Sequence, residues 1–158
     1  VSEQRTFQLL ASLGIHDARA HLLEMLEVRQ ALEAQAILLA VRHAEEAAFE
    51  AMAGHLDDYR RARAREDFLA VSEADAAFHL AIYQACGNRV LVGLIQMMHD
   101  ELYLSWDSPD DRHEVFDASF AHHEDLLEAM RRRDEQAALA AFDNLVGATR
   151  KSIEAMVS

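Results

Sequence analysis

Three ionisable residues stand where the helical pattern of this chain otherwise places apolar side chains. Asp75 and His79 share one face of the segment 75–88, and His123 lies at the centre of a second stripe. The first face also contains Phe68, Val71, Phe78, Ile82 and Cys86, and the second contains Phe116, Phe120, Leu126, Leu127 and Met130. Burying an ionisable group is unfavourable unless the group is paired or bound to a metal. These three positions are therefore candidate functional residues.

The spacing of Asp75 and His79 suits a shared cation. Residues four apart on a helix project side by side, so a carboxylate oxygen and an imidazole nitrogen can reach one ion. His123 from a facing helix would complete a set of two histidines and one carboxylate. Such a set leaves coordination positions open and suits Zn²⁺, Ni²⁺, Fe²⁺ or Mn²⁺ without selecting one. The alternative is a buried Asp–His hydrogen bond without a metal.

Arg29 is a further polar residue at the centre of an apolar stripe. The other members of this stripe are Leu22, Met25, Leu26, Leu32, Ala36 and Ala40. A guanidinium inside a helical bundle suits bidentate binding of a small carboxylate. Glu33, one turn further on, offers an alternative, an internal Arg29–Glu33 salt bridge. The spacing leaves both interpretations open.

The elements that must position these residues are helices. The chain has 158 residues, 51% of them apolar, with one proline, five glycines and no run that alternates with a period of two. Helices are predicted at about 17–44, 45–64, 66–86, 88–105, 110–132 and 134–156. Gly87 ends the third, Asn88 and Asp134 are N-caps, and 107–109 is a loop. Short connections predict one all-α domain, an antiparallel bundle of six or seven helices.

Composition and motifs exclude several functions. The net charge of −13 repels polyanions, so this chain alone should not bind DNA, and the arginines at 60–65 and 131–133 are interpreted as solvated helix ends. The sequence contains no His-Glu-x-x-His zinc motif, no ferritin-like di-iron pattern, no glycine-rich phosphate loop and no nucleophile elbow. No apolar stretch long enough to span a bilayer and no leader peptide appear, which predicts a cytoplasmic protein. Cys86 is expected to be a buried structural thiol.

Three segments together resemble a known family. EVRQALE (27–33), DAAFHLAIYQACGN (75–88) and HEDLLEAMRRRDEQAALAAF (123–142), in this order, resemble the FCD domain. This is the C-terminal effector domain of GntR-type transcription regulators of the FadR subfamily. The resemblance spans most of 20–150. It implies a helical bundle that binds a small organic acid and commonly a metal, within a homodimeric regulator that carries an N-terminal winged helix-turn-helix.

The resemblance also implies roles for individual residues. Asp75 and His79 match the Asp-x-x-x-His ligand pair of the family, and His123 matches its next metal-binding histidine. Arg29 matches the arginine of the first-helix motif and is expected to face the effector pocket.

One metal ligand of the family pattern is missing. Leu145 stands 22 residues after His123, where the last histidine is expected. A register shifted by one would pair His122 with Asn144, but both lie off the apolar stripes of their helices. Three ligands are therefore expected, and they would bind a metal more weakly than four.

These observations combine into one functional hypothesis. Residues 1–16 are interpreted as an N-terminal arm or linker and 17–158 as the effector-binding domain, with the winged helix-turn-helix absent from this chain. The domain is expected to be non-enzymatic, to bind a small carboxylate through Arg29 and any bound metal, and to alter dimer geometry and thereby DNA binding by the missing domain. Two alternatives are a helical metalloenzyme using the same three ligands and a purely structural helical module.

Overall fold

The computed structural model describes residues 18–104 and 112–155, with the side chains of 18, 19, 100–104, 112–118 and 152 left aside. These residues form six helices and no strand, which confirms the all-α prediction. The helices are α1 (Ala18–His43), α2 (Glu46–Ala64), α3 (Phe68–Ala85), α4 (Arg89–Leu104), α5 (Arg112–Arg131) and α6 (Glu135–Ala155). Each lies within two residues of its predicted bounds. The predicted arm 1–16 and loop 107–109 lie outside the described residues.

Side-chain caps explain where three of the helices begin. The carboxylate of Asp67 accepts a hydrogen bond from the Ala70 backbone N–H before α3. Asn88 and Asp134 do the same before α4 and α6, at 3.1 and 2.9 Å from the N–H groups three residues on. Each cap satisfies a backbone donor that the first helical turn leaves unpaired. Gly87 separates α3 from α4 with a φ of +74°, which an L side chain rarely adopts.

Helix α1 is central to the bundle, because it packs against α3, α4, α5 and α6. Its Ala36 and Ala40 are fully buried, and such small side chains allow the neighbouring helices to approach closely. Helices α2 and α3 form one tightly packed pair, and α5 and α6 form another. The interface of α3 with α5 lies between these pairs, and it contains Asp75, His79 and His123.

Arg133, in the turn between α5 and α6, contacts the C-terminal end of α1. Its guanidinium donates hydrogen bonds of 2.6 Å to the carbonyl oxygens of Val41 and Ala44 at the end of α1, and lies 5.0 Å from the Phe49 ring centroid. Carbonyls at a helix C-terminus lack partners within the helix, so a cation there is favourable. Arg133 was predicted to lie at a solvated helix end, and in the structure this exposed residue also caps α1.

Most residues of the predicted stripes whose side chains the structure describes are buried. Leu32 and Phe120 are partly buried, and the side chain of Phe116 lies outside the described part of the chain. Phe78, Ile82, Leu126 and Met130 are fully buried, whereas Phe68 is 48% exposed. Phe68 is the first residue of α3, where the helix has no preceding turn to complete its packing. None of the described helices combines the length and apolar character needed to cross a bilayer.

Candidate metal and effector site

Asp75, His79 and His123 meet in the interior of the bundle. Helix α3 contributes the first two and α5 the third, and one potential ligand atom from each lies within 4.8 Å of the others. The Nε2 atom of His123 is 2.9 Å from Oδ1 of Asp75 and 3.2 Å from Nε2 of His79. All three residues are buried. The carboxylate thus contacts the histidine of the facing helix, a contact that helical spacing within α3 could not reveal.

The backbone carbonyl of Ser119 determines the tautomer of His123, and so which of its ring nitrogens carries a lone pair. Nδ1 lies 3.0 Å from the carbonyl oxygen of Ser119, which can only accept, so Nδ1 carries a hydrogen. In neutral His123 the Nε2 lone pair then points toward an Asp75 oxygen, also an acceptor. Either a proton or a metal ion between these atoms makes the contact favourable. A histidine whose second nitrogen donates to a carbonyl is a common arrangement at metal sites, so the residues fit a divalent ion.

The electrostatics of the cluster favour the protonation states that metal ligands need. Burial opposes the charge of Asp75, but the hydrogen bond and charge of His123, with His79 and Arg29, lower the pKa of Asp75 to about 2. Burial lowers the pKa of His79 to about 3 against the attraction of Asp75. At neutral pH Asp75 is therefore ionised and His79 is neutral, as metal binding requires.

Arg29 lies beside the cluster and forms the internal salt bridge as well. Its Nε atom is 2.6 Å from Oε1 of Glu33, and the Tyr83 hydroxyl donates a 2.7 Å hydrogen bond to the same oxygen. The charge of Arg29 also contributes to the shifted pKa values of Asp75 and His79. The guanidinium thus borders the site while Glu33, which is 1% exposed, balances its charge. The second carboxylate oxygen of Glu33 has no hydrogen-bond partner among the described residues.

A pocket of about 180 Å³ opens between α3 and α4, next to the cluster. Its described lining residues are Ala76, His79, Leu80 and Tyr83 from α3 and Gln96 and His99 from α4. His79 therefore borders both the pocket and the cluster. Burial, followed by the charge of Arg29, lowers the pKa of His99 to about 3, so this imidazole is neutral at neutral pH.

His99 and Gln96 were not among the residues predicted from the sequence. His99 follows the buried residues Leu91 and Ile95 by eight and four positions, so it stands on the core stripe of α4. The criterion that selected Asp75 and His79, a polar residue on an apolar stripe, would have found it. Gln96 is exposed on the same helix and carries no such signal.

Residues 122, 123, 144 and 145 lie as the helical wheel predicts. His123 is buried, whereas the His122 side chain is 33% exposed and lies 3.9 Å from the Asp125 carboxylate. On α6, Leu145 is buried and Asn144 is exposed. The alignment that matches His123 and Leu145 to the family's two histidine positions therefore uses two buried residues. The alignment shifted by one residue would use the partly exposed His122 and the exposed Asn144.

Comparisons with known proteins agree with this fold. The FCD domain family model matches residues 24–148. The solved structure of Streptococcus agalactiae GntR is similar with a TM-score of 0.74 and 19% identity, over 87% of this chain and 62% of that chain. The solved structure of E. coli McbR/YncC is similar with a TM-score of 0.69 and 20% identity, over 83% of this chain and 63% of that chain. This chain thus spans less than two thirds of either protein. No curated protein sequence matches the chain. The family match covers most of the chain, which therefore belongs to the FCD domain family, the effector domain of GntR-type transcription regulators.

Proposed function

We propose that this chain is the sensing and dimerisation domain of a FadR-type transcription regulator, which binds a small organic acid at a divalent metal. The convergence of Asp75, His79 and His123 in the bundle interior carries this proposal. These residues supply one carboxylate and two imidazoles, the donor types that a divalent cation binds, from two helices that the fold brings together. A bound divalent ion would offer open coordination positions to the carboxylate of the acid.

The chain's own residues have separable roles in this proposal. Asp75, His79 and His123 bind the metal, and the Ser119 carbonyl orients the imidazole of His123. Arg29 contributes positive charge beside the site, but Glu33 already pairs with it. An acid therefore gains less from Arg29 than from an unpaired guanidinium, which makes the metal the main anchor for its carboxylate.

The remainder of the function belongs to the intact regulator. A winged helix-turn-helix domain outside this chain would bind DNA in the cytoplasm, because the net charge of −13 disfavours binding by the sensing domain itself. Val90, Leu94 and Met97 form an exposed apolar row on α4, which is consistent with an interface to a second protomer. An acid would change DNA binding only to the extent that it binds one dimer arrangement more tightly than the other.

A thermal-shift experiment tests the proposal. The metal-free chain is titrated with Zn²⁺, Ni²⁺ or Mn²⁺, and an ion at 100 times its dissociation constant should stabilise the fold by about 2.7 kcal/mol. For a domain of this size that raises Tm by about 5 to 10 °C. Short carboxylic acids, added after the metal, should raise Tm again.

Matched variants distinguish the site from unspecific metal binding. His79→Ala combined with His123→Ala should abolish the metal-dependent shift, whereas His43→Ala, which removes an exposed histidine on α1, should leave it unchanged. A double variant that still responds fully to metal would show that the cluster is not the site. Turnover of the added acids, followed by NMR, would favour the metalloenzyme alternative instead.

A further inference from the structure

The pocket beside the metal cluster has two ends of different chemistry. His79 lies at the end that borders the cluster. Gln96 and His99 project from α4, across the pocket from the α3 residues that line the opposite wall. A molecule anchored at the cluster through a carboxylate therefore extends toward these two residues.

The α4 wall is polar but uncharged. Gln96 has an amide that donates and accepts hydrogen bonds, and a neutral imidazole such as that of His99 does both as well. The Tyr83 hydroxyl uses its hydrogen on Glu33, so it presents acceptor character to the pocket. None of the described lining residues is positively charged at neutral pH, so a second carboxylate on the ligand would be desolvated without a partner.

A cationic second group is also disfavoured. None of the described lining residues is a carboxylate, so a cationic group would be desolvated there without an ionic partner. The pocket therefore suits a ligand whose second polar group is neutral and forms hydrogen bonds.

The volume of the pocket indicates how much of a ligand it can surround. An engineered protein cavity of about 150 Å³ holds benzene, a molecule of six non-hydrogen atoms. The present pocket of about 180 Å³ is slightly larger. It therefore accommodates a short acid of roughly seven non-hydrogen atoms.

We propose that Gln96 and His99 are specificity-determining residues that bind a neutral hydroxyl or carbonyl group of a short monocarboxylic acid. This inference rests on the proposed sensing function and adds the class of effector to it. It predicts discrimination between acids of the same size according to their second group.

Calorimetric titration of the Zn²⁺-loaded chain tests the inference. The probes are 2-, 3- and 4-hydroxybutyrate, with pentanoate and 4-aminobutyrate as acids of equal non-hydrogen atom count, and succinate as the dicarboxylate. At least one hydroxybutyrate isomer should bind about five- to tenfold more tightly than the other three acids, as expected for one or two hydrogen bonds between neutral groups. Gln96→Met and His99→Phe should each reduce this preference while retaining pentanoate binding.

Variants of the same chemistry outside the pocket serve as controls. Gln136→Met and His43→Phe alter exposed residues on α6 and α1 and should preserve the preference. Because Gln96 is exposed, Gln96→Met keeps the test valid if His99→Phe fails to fold. Equal binding of pentanoate and every hydroxybutyrate, or tighter binding of succinate or 4-aminobutyrate, would overturn this inference and leave the sensing function standing. Failure of every acid to bind a chain that does bind Zn²⁺ would overturn both.

Discussion

Asp75→Asn tests whether the surroundings of Asp75 favour its charge in the metal-free protein. Asparagine has nearly the shape of the protonated acid, so the substitution removes the charge and little volume. The pKa of Asp75 falls from 3.8 to about 2 in the folded chain, because interactions with His123, His79 and Arg29 outweigh burial. One pKa unit corresponds to about 1.4 kcal/mol, so these interactions stabilise the folded state by roughly 2 kcal/mol at neutral pH.

The expected result is a metal-free variant with a Tm lower by about 4 to 8 °C, since 1 kcal/mol corresponds to about 2 to 4 °C for a domain of this size. The measurement is thermal and urea denaturation at pH 7 with a chelator present. In the wild-type protein the stabilisation from Asp75 is fully present above pH 3.8 and is lost as the pH falls through 2, because the unfolded chain takes up the proton first. The variant lacks this acid dependence.

Asp125→Asn is the matched control for this experiment. Asp125 lies on α5 two residues after His123, its side chain is 71% exposed, and its loss should change stability by less than about 0.5 kcal/mol. A metal-free Asp75→Asn protein that equals or exceeds the wild type in stability would refute the reasoning. That result would mean that the free-energy cost of burying the carboxylate exceeds the stabilisation from its interactions with His123 and Arg29.

Two further predictions concern the histidines and the missing ligand. The pKa values of His79 and His99 lie near 3 in the folded chain and near 6.5 in the unfolded chain. The unfolded state therefore binds more protons between these values, and metal-free stability should fall with decreasing pH by up to about 1.4 kcal/mol per pH unit for each histidine. Urea denaturation across this range measures the slope, and a slope unchanged in a His79→Gln/His99→Gln variant would contradict the assignment. Leu145→His should tighten Zn²⁺ binding by about tenfold or more in chelator competition, because it supplies a fourth ligand. Asn144→His, exposed one residue earlier, should change nothing, and equal effects of the two would argue against the family alignment.

The sequence by itself determined the helices and which residues face the interior. Caps at Asn88 and Asp134 and the glycine at 87 act within a few residues, so local chemistry specifies these helix ends. The helical period likewise distinguished buried His123 from His122, because orientation about one helix axis depends only on position along the chain. The same helical period decided between the two possible alignments of His122 and His123 with the family pattern.

Only the tertiary structure decided the partners of those residues. Asp75 contacts His123 of α5, although His79 lies four residues away on its own helix, because the crossing of α3 and α5 brings Nε2 of His123 within 2.9 Å. The Arg29–Glu33 salt bridge lies within α1 and was one of the two possibilities open from the sequence, but the hydrogen bond from the Tyr83 hydroxyl of α3 to Glu33 arises only from helix packing. The pocket lined by His99 lies between α3 and α4. Its shape depends on how the side chains of both helices pack, so neither segment alone predicts it.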